Sequence, residues 1–172
     1  MANLLLEVIL LGTDLIRVLV VDDYEPWHSF ISTMLRKEPE LQIIGYVSDG
    51  LEAVQHAERL QPDLILMDIG LPTLNGIEAA CRIREVSPTS KILFVSQNRS
   101  PGIVQEALSN GAGGYVVKSH AGSELLPAIK AILEGKRFIS AGLTAQFLVA
   151  TTFSTLAQTI VSSVITSILG VR

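Results

Sequence analysis

Ile16-Arg17-Val18-Leu19-Val20-Val21-Asp22-Asp23 is an aliphatic run that ends in two adjacent carboxylates. Three further runs share the design. Leu64-Ile65-Leu66-Met67 ends in Asp68, Ile92-Leu93-Phe94-Val95 in Ser96, and Tyr115-Val116-Val117 in Lys118. Short, almost wholly apolar runs read as strands buried on both faces, which is the pattern of a parallel sheet. In open α/β sheets, ligands bind outside the carboxyl ends of the strands. The chain therefore gathers three carboxylates, a hydroxyl and an ammonium at one sheet edge. That is a place to hold a divalent cation and move a phosphoryl group.

Working outward, strand candidates at 16–21, 42–47, 64–67, 91–95 and 114–117 alternate with helix-length segments at 27–37, 51–59, 76–85, 103–110 and 123–134. In the last of these, Leu125, Leu126, Ile129, Ile132 and Leu133 recur at helical spacing. Alternation at this pitch predicts an α/β fold, a doubly wound five-stranded parallel sheet covered on both faces. The punctuation agrees. Gly111-Ala112-Gly113-Gly114 closes a helix and opens the fifth strand, and Ser87-Pro88 breaks the helix before the fourth.

The 172 residues suit one domain with a short extra piece. A net charge of −4 argues against a general affinity for nucleic acid, which needs a basic face. Cys81 is the one cysteine, so no internal disulfide forms, and it reads as packing. His28, His56 and His120 fall in unrelated segments without zinc spacing. Residues 1–15 form an apolar extension with no basic n-region, and are not read as a signal peptide. The domain proper is assigned to 16–140. Beyond it, 141–172 is an uncharged tail until Arg172, with Phe153, Leu156, Ile160, Val164 and Ile168 at helical period. An amphipathic helix packed on the domain or on a second copy is the preferred reading. A membrane-associated helix is disfavoured by the hydroxyl content, and a tail under little constraint stays open.

The strand-end residues imply a chemistry. Asp23 and Asp68 suit direct ligation of a hard cation such as Mg²⁺, and Asp22 the holding of a metal-bound water. Repulsion among three carboxylates disfavours full ionisation without a cation. A cation also offsets the charge of a phosphoryl donor, so that Asp68 can attack phosphorus and form an acyl phosphate. Lys118 supplies positive charge to the transferred group, and the Ser96 hydroxyl a hydrogen bond. Singly, an Asp or Lys after a strand is a turn, cap or solvated residue. Together, at successive strand ends, the set is far more specific.

The stretch 16–140 closely resembles the receiver domain of bacterial two-component response regulators. The resemblance rests on Val20-Val21-Asp22-Asp23, on Leu66-Met67-Asp68-Ile69-Gly70-Leu71-Pro72 with Gly76, and on Gly111-Ala112-Gly113-Gly114-Tyr115-Val116-Val117-Lys118. The last string and Glu134-Gly135-Lys136-Arg137-Phe138-Ile139-Ser140 resemble the NarL/FixJ-type subgroup. The resemblance implies a flavodoxin-like fold, with Asp68 as phosphoacceptor and Asp22 and Asp23 as the acidic pair for Mg²⁺. It makes the Gly70 backbone carbonyl a third protein ligand, Ser96 the switch hydroxyl, Lys118 the conserved-type lysine and Tyr115 the aromatic that turns inward on phosphorylation. It implies a cytoplasmic signalling domain rather than an enzyme. Its partners would be a sensor histidine kinase or phosphotransfer protein and an unknown output protein, with a homodimer open.

The chain departs from that family in places. Gln97 follows Ser96 where a small residue is usual, and Ser119 follows Lys118 where many receivers carry proline. NarL/FixJ-type regulators continue into a LuxR-type helix-turn-helix, but Phe138 to Val171 holds no charged residue, so DNA binding is not carried over. Rivals are a phosphorylation-independent interaction or dimerisation module, a remnant of a LuxR-type transcriptional regulator, and an aspartyl-phosphate hydrolase. Gly70 speaks against the hydrolase, which needs a second acid there. A Rossmann oxidoreductase is weaker still, because Asp22-Asp23-Tyr24-Glu25-Pro26 replaces the Gly-rich turn.

Overall fold

The computed structural model describes residues 15–143; the expectations for the N-terminal extension before Leu15 and for the tail beyond Leu143 lie outside the described residues. The elements run β1 Ile16–Val21, α1 Glu25–Leu35, β2 Leu41–Val47, α2 Gly50–Leu60, β3 Leu64–Met67, α3 Gly76–Val86, β4 Lys91–Ser96, α4 Pro101–Ser109, β5 Gly114–Val117, a 3₁₀ turn Lys118–His120, α5 Ala121–Leu133 and β6 Phe138–Ile139. All strands pair in parallel, in the order β2-β1-β3-β4-β5-β6. The chain reverses its direction of travel between β1 and β3. In a doubly wound sheet that is the switch point where the crevice opens.

Side chains alternate across the pleat and so build two cores. Leu19, Val21, Ile65, Met67, Phe94 and Tyr115 pack under α2, α3 and α4 with Ala57, Ile83 and Val104. Val18, Val20, Leu64, Leu66, Leu93 and Val116 pack under α1 and α5 with Ile31, Leu35, Leu125 and Ile129. The near-continuous apolar runs follow directly, since every strand residue needs an apolar partner on one face or the other.

Among the described residues six strands form where five were predicted. Phe138 and Ile139 pair with Gly114 and Tyr115 at the sheet edge, and Ser140 N–H donates to the Tyr115 carbonyl at 2.9 Å. Two half-buried residues are too few to carry an alternation pattern. Helix starts also differ: α1 begins at Glu25 and α4 at Pro101, each earlier than predicted, because proline fits the first turn where an N–H has no partner. Asp49 caps α2 by accepting from Leu51 and Glu52 N–H, and Asn75 caps α3 by accepting from Glu78 N–H.

Candidate functional site

The backbone ladder sets the acids in place. Asp22 N–H donates to the Val47 carbonyl and Asp68 N–H to the Val21 carbonyl, each at 2.9 Å. β1 lies between β2 and β3, so these two bonds fix both carboxylates to one rim of the sheet. Asp23 follows at the surface. The three acids each offer an oxygen within 4.8 Å of the others. β5 ends two strands away and delivers Lys118 to the same point. Its Nζ lies 2.5 Å from Asp22 Oδ2 and 2.7 Å from Asp68 Oδ2, with the lysine side chain 8% exposed.

The carboxylate oxygens are used unequally. Asp68 Oδ1 accepts from Ile69 N–H at 2.6 Å, and Asp68 Oδ2 from Lys118. Asp22 Oδ1 accepts from Tyr24 N–H at 3.0 Å. Asp22 Oδ2 is buried; its contact with Lys118 is close but poorly aligned, so no well-formed hydrogen bond satisfies it. Burial pushes the Asp22 carboxyl above the usual carboxylate range, against the opposing pulls of Lys118 and the Tyr24 N–H. Burial also pulls on Lys118, downward, but the close Asp22 and Asp68 carboxylates outweigh it and leave the amine above its ordinary value. A buried carboxylate oxygen without a well-aligned donor, beside two further carboxylates, fits a hard divalent cation held by oxygen ligands.

The loop around Asp68 is tight. A Cβ on Gly76 would stand 1.9 Å from the Asp68 carbonyl oxygen, so only glycine lets α3 start this close to the acid. Gly76 N–H and Leu71 N–H both donate to the Ile69 carbonyl at 2.9 Å. Gly70 lies exposed in that turn, with open space where a Cβ would be.

Ser96 closes β4 and is buried; the Asn98 N–H reaches its Oγ at 3.4 Å. Tyr115 is 0% exposed, tilted against Phe94 at 6.3 Å, and its hydroxyl donates to the Asn98 carbonyl at 2.8 Å. The ring thus already points inward. Burial first, and then the Asp68 charge, push its phenol up to about 12, with the Ser96 hydroxyl pulling the other way.

The structure brings Asp22, Asp23, Asp68 and Lys118 together and sets Ser96 and Tyr115 on the adjoining strands. Sequence reasoning missed two neighbours on α1. The Trp27 ring lies under Lys118 Nζ, 5.1 Å from its centroid. His28 Nε2 donates to the Asp22 backbone carbonyl at 2.7 Å. Neither contact has a motif, because both depend on how α1 is docked. No helix among the described residues is long and apolar enough to cross a membrane.

The chain is similar to known proteins over the described fold. Residues 18–130 match the family model described as the response regulator receiver domain. The transcriptional regulatory protein DegU of Brevibacillus brevis is 32% identical over 124 residues, which cover 72% of this chain and 52% of that protein. The nitrate/nitrite response regulator protein NarL of Escherichia coli K12 is 32% identical over 127 residues, 74% of this chain and 59% of that protein. The chain therefore spans little more than half the length of these relatives. Among solved structures, a two-component response regulator of the LuxR family from Aurantimonas sp. SI85-9A1 superposes with a TM-score of 0.75 at 29% identity, covering 79% of this chain and 97% of that one.

Proposed function

This chain belongs to the response regulator receiver domain family, and we propose that it takes a phosphoryl group onto Asp68 from a phosphohistidine of a sensor histidine kinase or phosphotransfer protein. One Asp68 carboxylate oxygen attacks phosphorus, the P–N bond breaks, and the imidazole leaves with the bonding pair and is protonated from solvent. Asp22, Asp23, Asp68 and the Gly70 carbonyl would hold Mg²⁺, which when bound offsets the charge gathering at phosphorus. The observation that carries the reading is the clustering of three carboxylates at the switch point of the sheet, two of them against one buried ammonium.

The chain's own residues do the rest. Ile69 N–H holds one Asp68 oxygen and so turns the carboxylate as a unit. Lys118 draws on Asp68 before transfer and on a phosphoryl oxygen after it. The new charge attracts the Ser96 hydroxyl. Ser96 is joined to Asn98, and Asn98 receives the Tyr115 hydroxyl, so a shift of Ser96 is felt at β5 and the faces of α4 and α5. The differential contact of the phosphoryl group in two states supplies the driving force. We assign the output to protein contact, in the cytoplasm, by a domain spanning 16–140. DNA binding is not assigned, because Phe138 to Val171 offers no cation to a phosphate backbone.

The test is intact mass after incubation with acetyl phosphate and Mg²⁺. One phosphoryl group is expected, absent without Mg²⁺ and absent in Asp68→Asn. Normal uptake by Asp68→Asn would sink the assignment.

A further inference from the structure

We propose that Trp27, on the first turn of α1, is a positioning residue for the Lys118 ammonium; the role rests on the phosphoacceptor reading of Asp68. Three groups surround that ammonium: Asp22 Oδ2 at 2.5 Å, Asp68 Oδ2 at 2.7 Å and the Trp27 ring centroid at 5.1 Å. A cation within about 6 Å of an indole face is attracted by the ring's quadrupole. The two carboxylates have a second commitment, since they belong to the cluster that suits a divalent cation. The indole has none. Of the three contacts, it alone stays available to the amine when the carboxylate oxygens are engaged elsewhere.

The ring is itself held in place. It stacks on Phe30, one helical turn along, at 4.7 Å and an interplanar angle of 26°, and both pack against the core beneath α1 and α5. The next residue ties the same turn to the acidic loop. The His28 Nε2–H bond to the Asp22 carbonyl links α1 to the backbone that carries Asp22 and Asp23, and the His28 ring lies tilted on Tyr46 at 4.8 Å. One turn of helix thus reaches the lysine with one side chain and the acid loop with the next. A tryptophan that only filled the core would be closed in on all sides. Trp27 instead borders a cleft with Tyr24, Gln97, Arg99, Lys118 and Ser119.

Two variants separate the ring from mere bulk: Trp27→Leu keeps an apolar group without a π-face, and Trp27→Phe keeps a weaker π-face. At saturating acetyl phosphate with Mg²⁺, Trp27→Leu is expected to take up phosphoryl about tenfold more slowly than wild type, and Trp27→Phe within about threefold of it. Adding Trp27→Leu to Lys118→Gln is expected to slow that protein no further. Trp27 is the single tryptophan, so its emission gives a reading without any donor. Mg²⁺ titration should change the emission of wild type and leave that of Lys118→Gln unchanged. Equal rates for Trp27→Leu and Trp27→Phe, an additive loss in the double variant, or the same emission change in Lys118→Gln would each overturn the proposal. If wild type takes up no phosphoryl at all, the phosphoacceptor reading fails, and the emission titration still decides whether ring and amine are coupled.

Discussion

Lys118→Met isolates the energetics of the site. The ammonium lies 2.5 Å and 2.7 Å from two carboxylate oxygens. In an effective dielectric of ~20, each contact has a gross Coulomb attraction of about 6 kcal/mol. Desolvation of the buried amine offsets most of this. Removing one partner of a buried pair costs about 3–5 kcal/mol, because the remaining charge is left uncompensated. Asp23 opens the cluster to water, so the lower end, about 3 kcal/mol, is expected at neutral pH without Mg²⁺. With a urea m-value of about 1–3 kcal/mol/M, the midpoint should fall by roughly 1–3 M. The pH dependence has a definite sign. Lys118 is raised above 10.5 in the fold, so its stabilisation is complete below that value and is lost as pH rises through the raised one. Asp22 is raised above 3.8, so protonation favours the fold in acid. The gap between wild type and variant should therefore be widest near neutrality and narrow toward both extremes. Mg²⁺ should also narrow it by supplying the missing positive charge. Urea titrations across pH would refute the reasoning if the gap were absent, or constant from acid to alkali.

Gly76→Ala forces a Cβ to within 1.9 Å of the Asp68 carbonyl oxygen. We expect a loss of ~2 kcal/mol in urea unfolding and slower phosphoryl uptake, because the backbone that must yield carries Asp68, the proposed acceptor. Asp22→Asn should raise the midpoint of the metal-free protein at neutral pH, since the surroundings disfavour the aspartate charge, and the gain should vanish as pH falls through the carboxylate range. Thermal melts with and without Mg²⁺ should show a smaller upward shift for this variant than for wild type. Tyr115→Phe deletes the bond to the Asn98 carbonyl and should cost about 0.5–1.5 kcal/mol. Alkaline difference spectra should show one phenol titrating at about 12 in wild type and none there in Tyr115→Phe.

Much of the fold was legible because each element's signal is local. The runs ending in Asp22-Asp23, Asp68, Ser96 and Lys118 are strands in the structure, and every one stops at or next to the residue that ends its run. β6 was not legible, since its two residues matter only through their pairing with Gly114 and Tyr115. Tyr115 lies inward in this structure, its hydroxyl bonded to the Asn98 carbonyl, a partner that no local pattern in the sequence announces. Trp27 and His28 carried no signal: Trp27 only opened a helix-length segment, and His28 was one of three histidines in unrelated segments.

Apolar periodicity by itself determined where β1 to β5 and the bodies of the five helices lie and which chemical groups stand at those strand ends, because burial repeats every two or 3.6 residues along a local segment. Only the tertiary structure decided which strand ends are neighbours. The order β2-β1-β3-β4-β5-β6 sets Asp68 beside Asp22, and the register of β5 carries Lys118 back to an acid fifty residues earlier in the chain. The docking of α1 then places an indole against the lysine and an imidazole against the acid loop. Such contacts follow from how two packed layers fit together, and periodicity carries no information about a partner that distant in sequence.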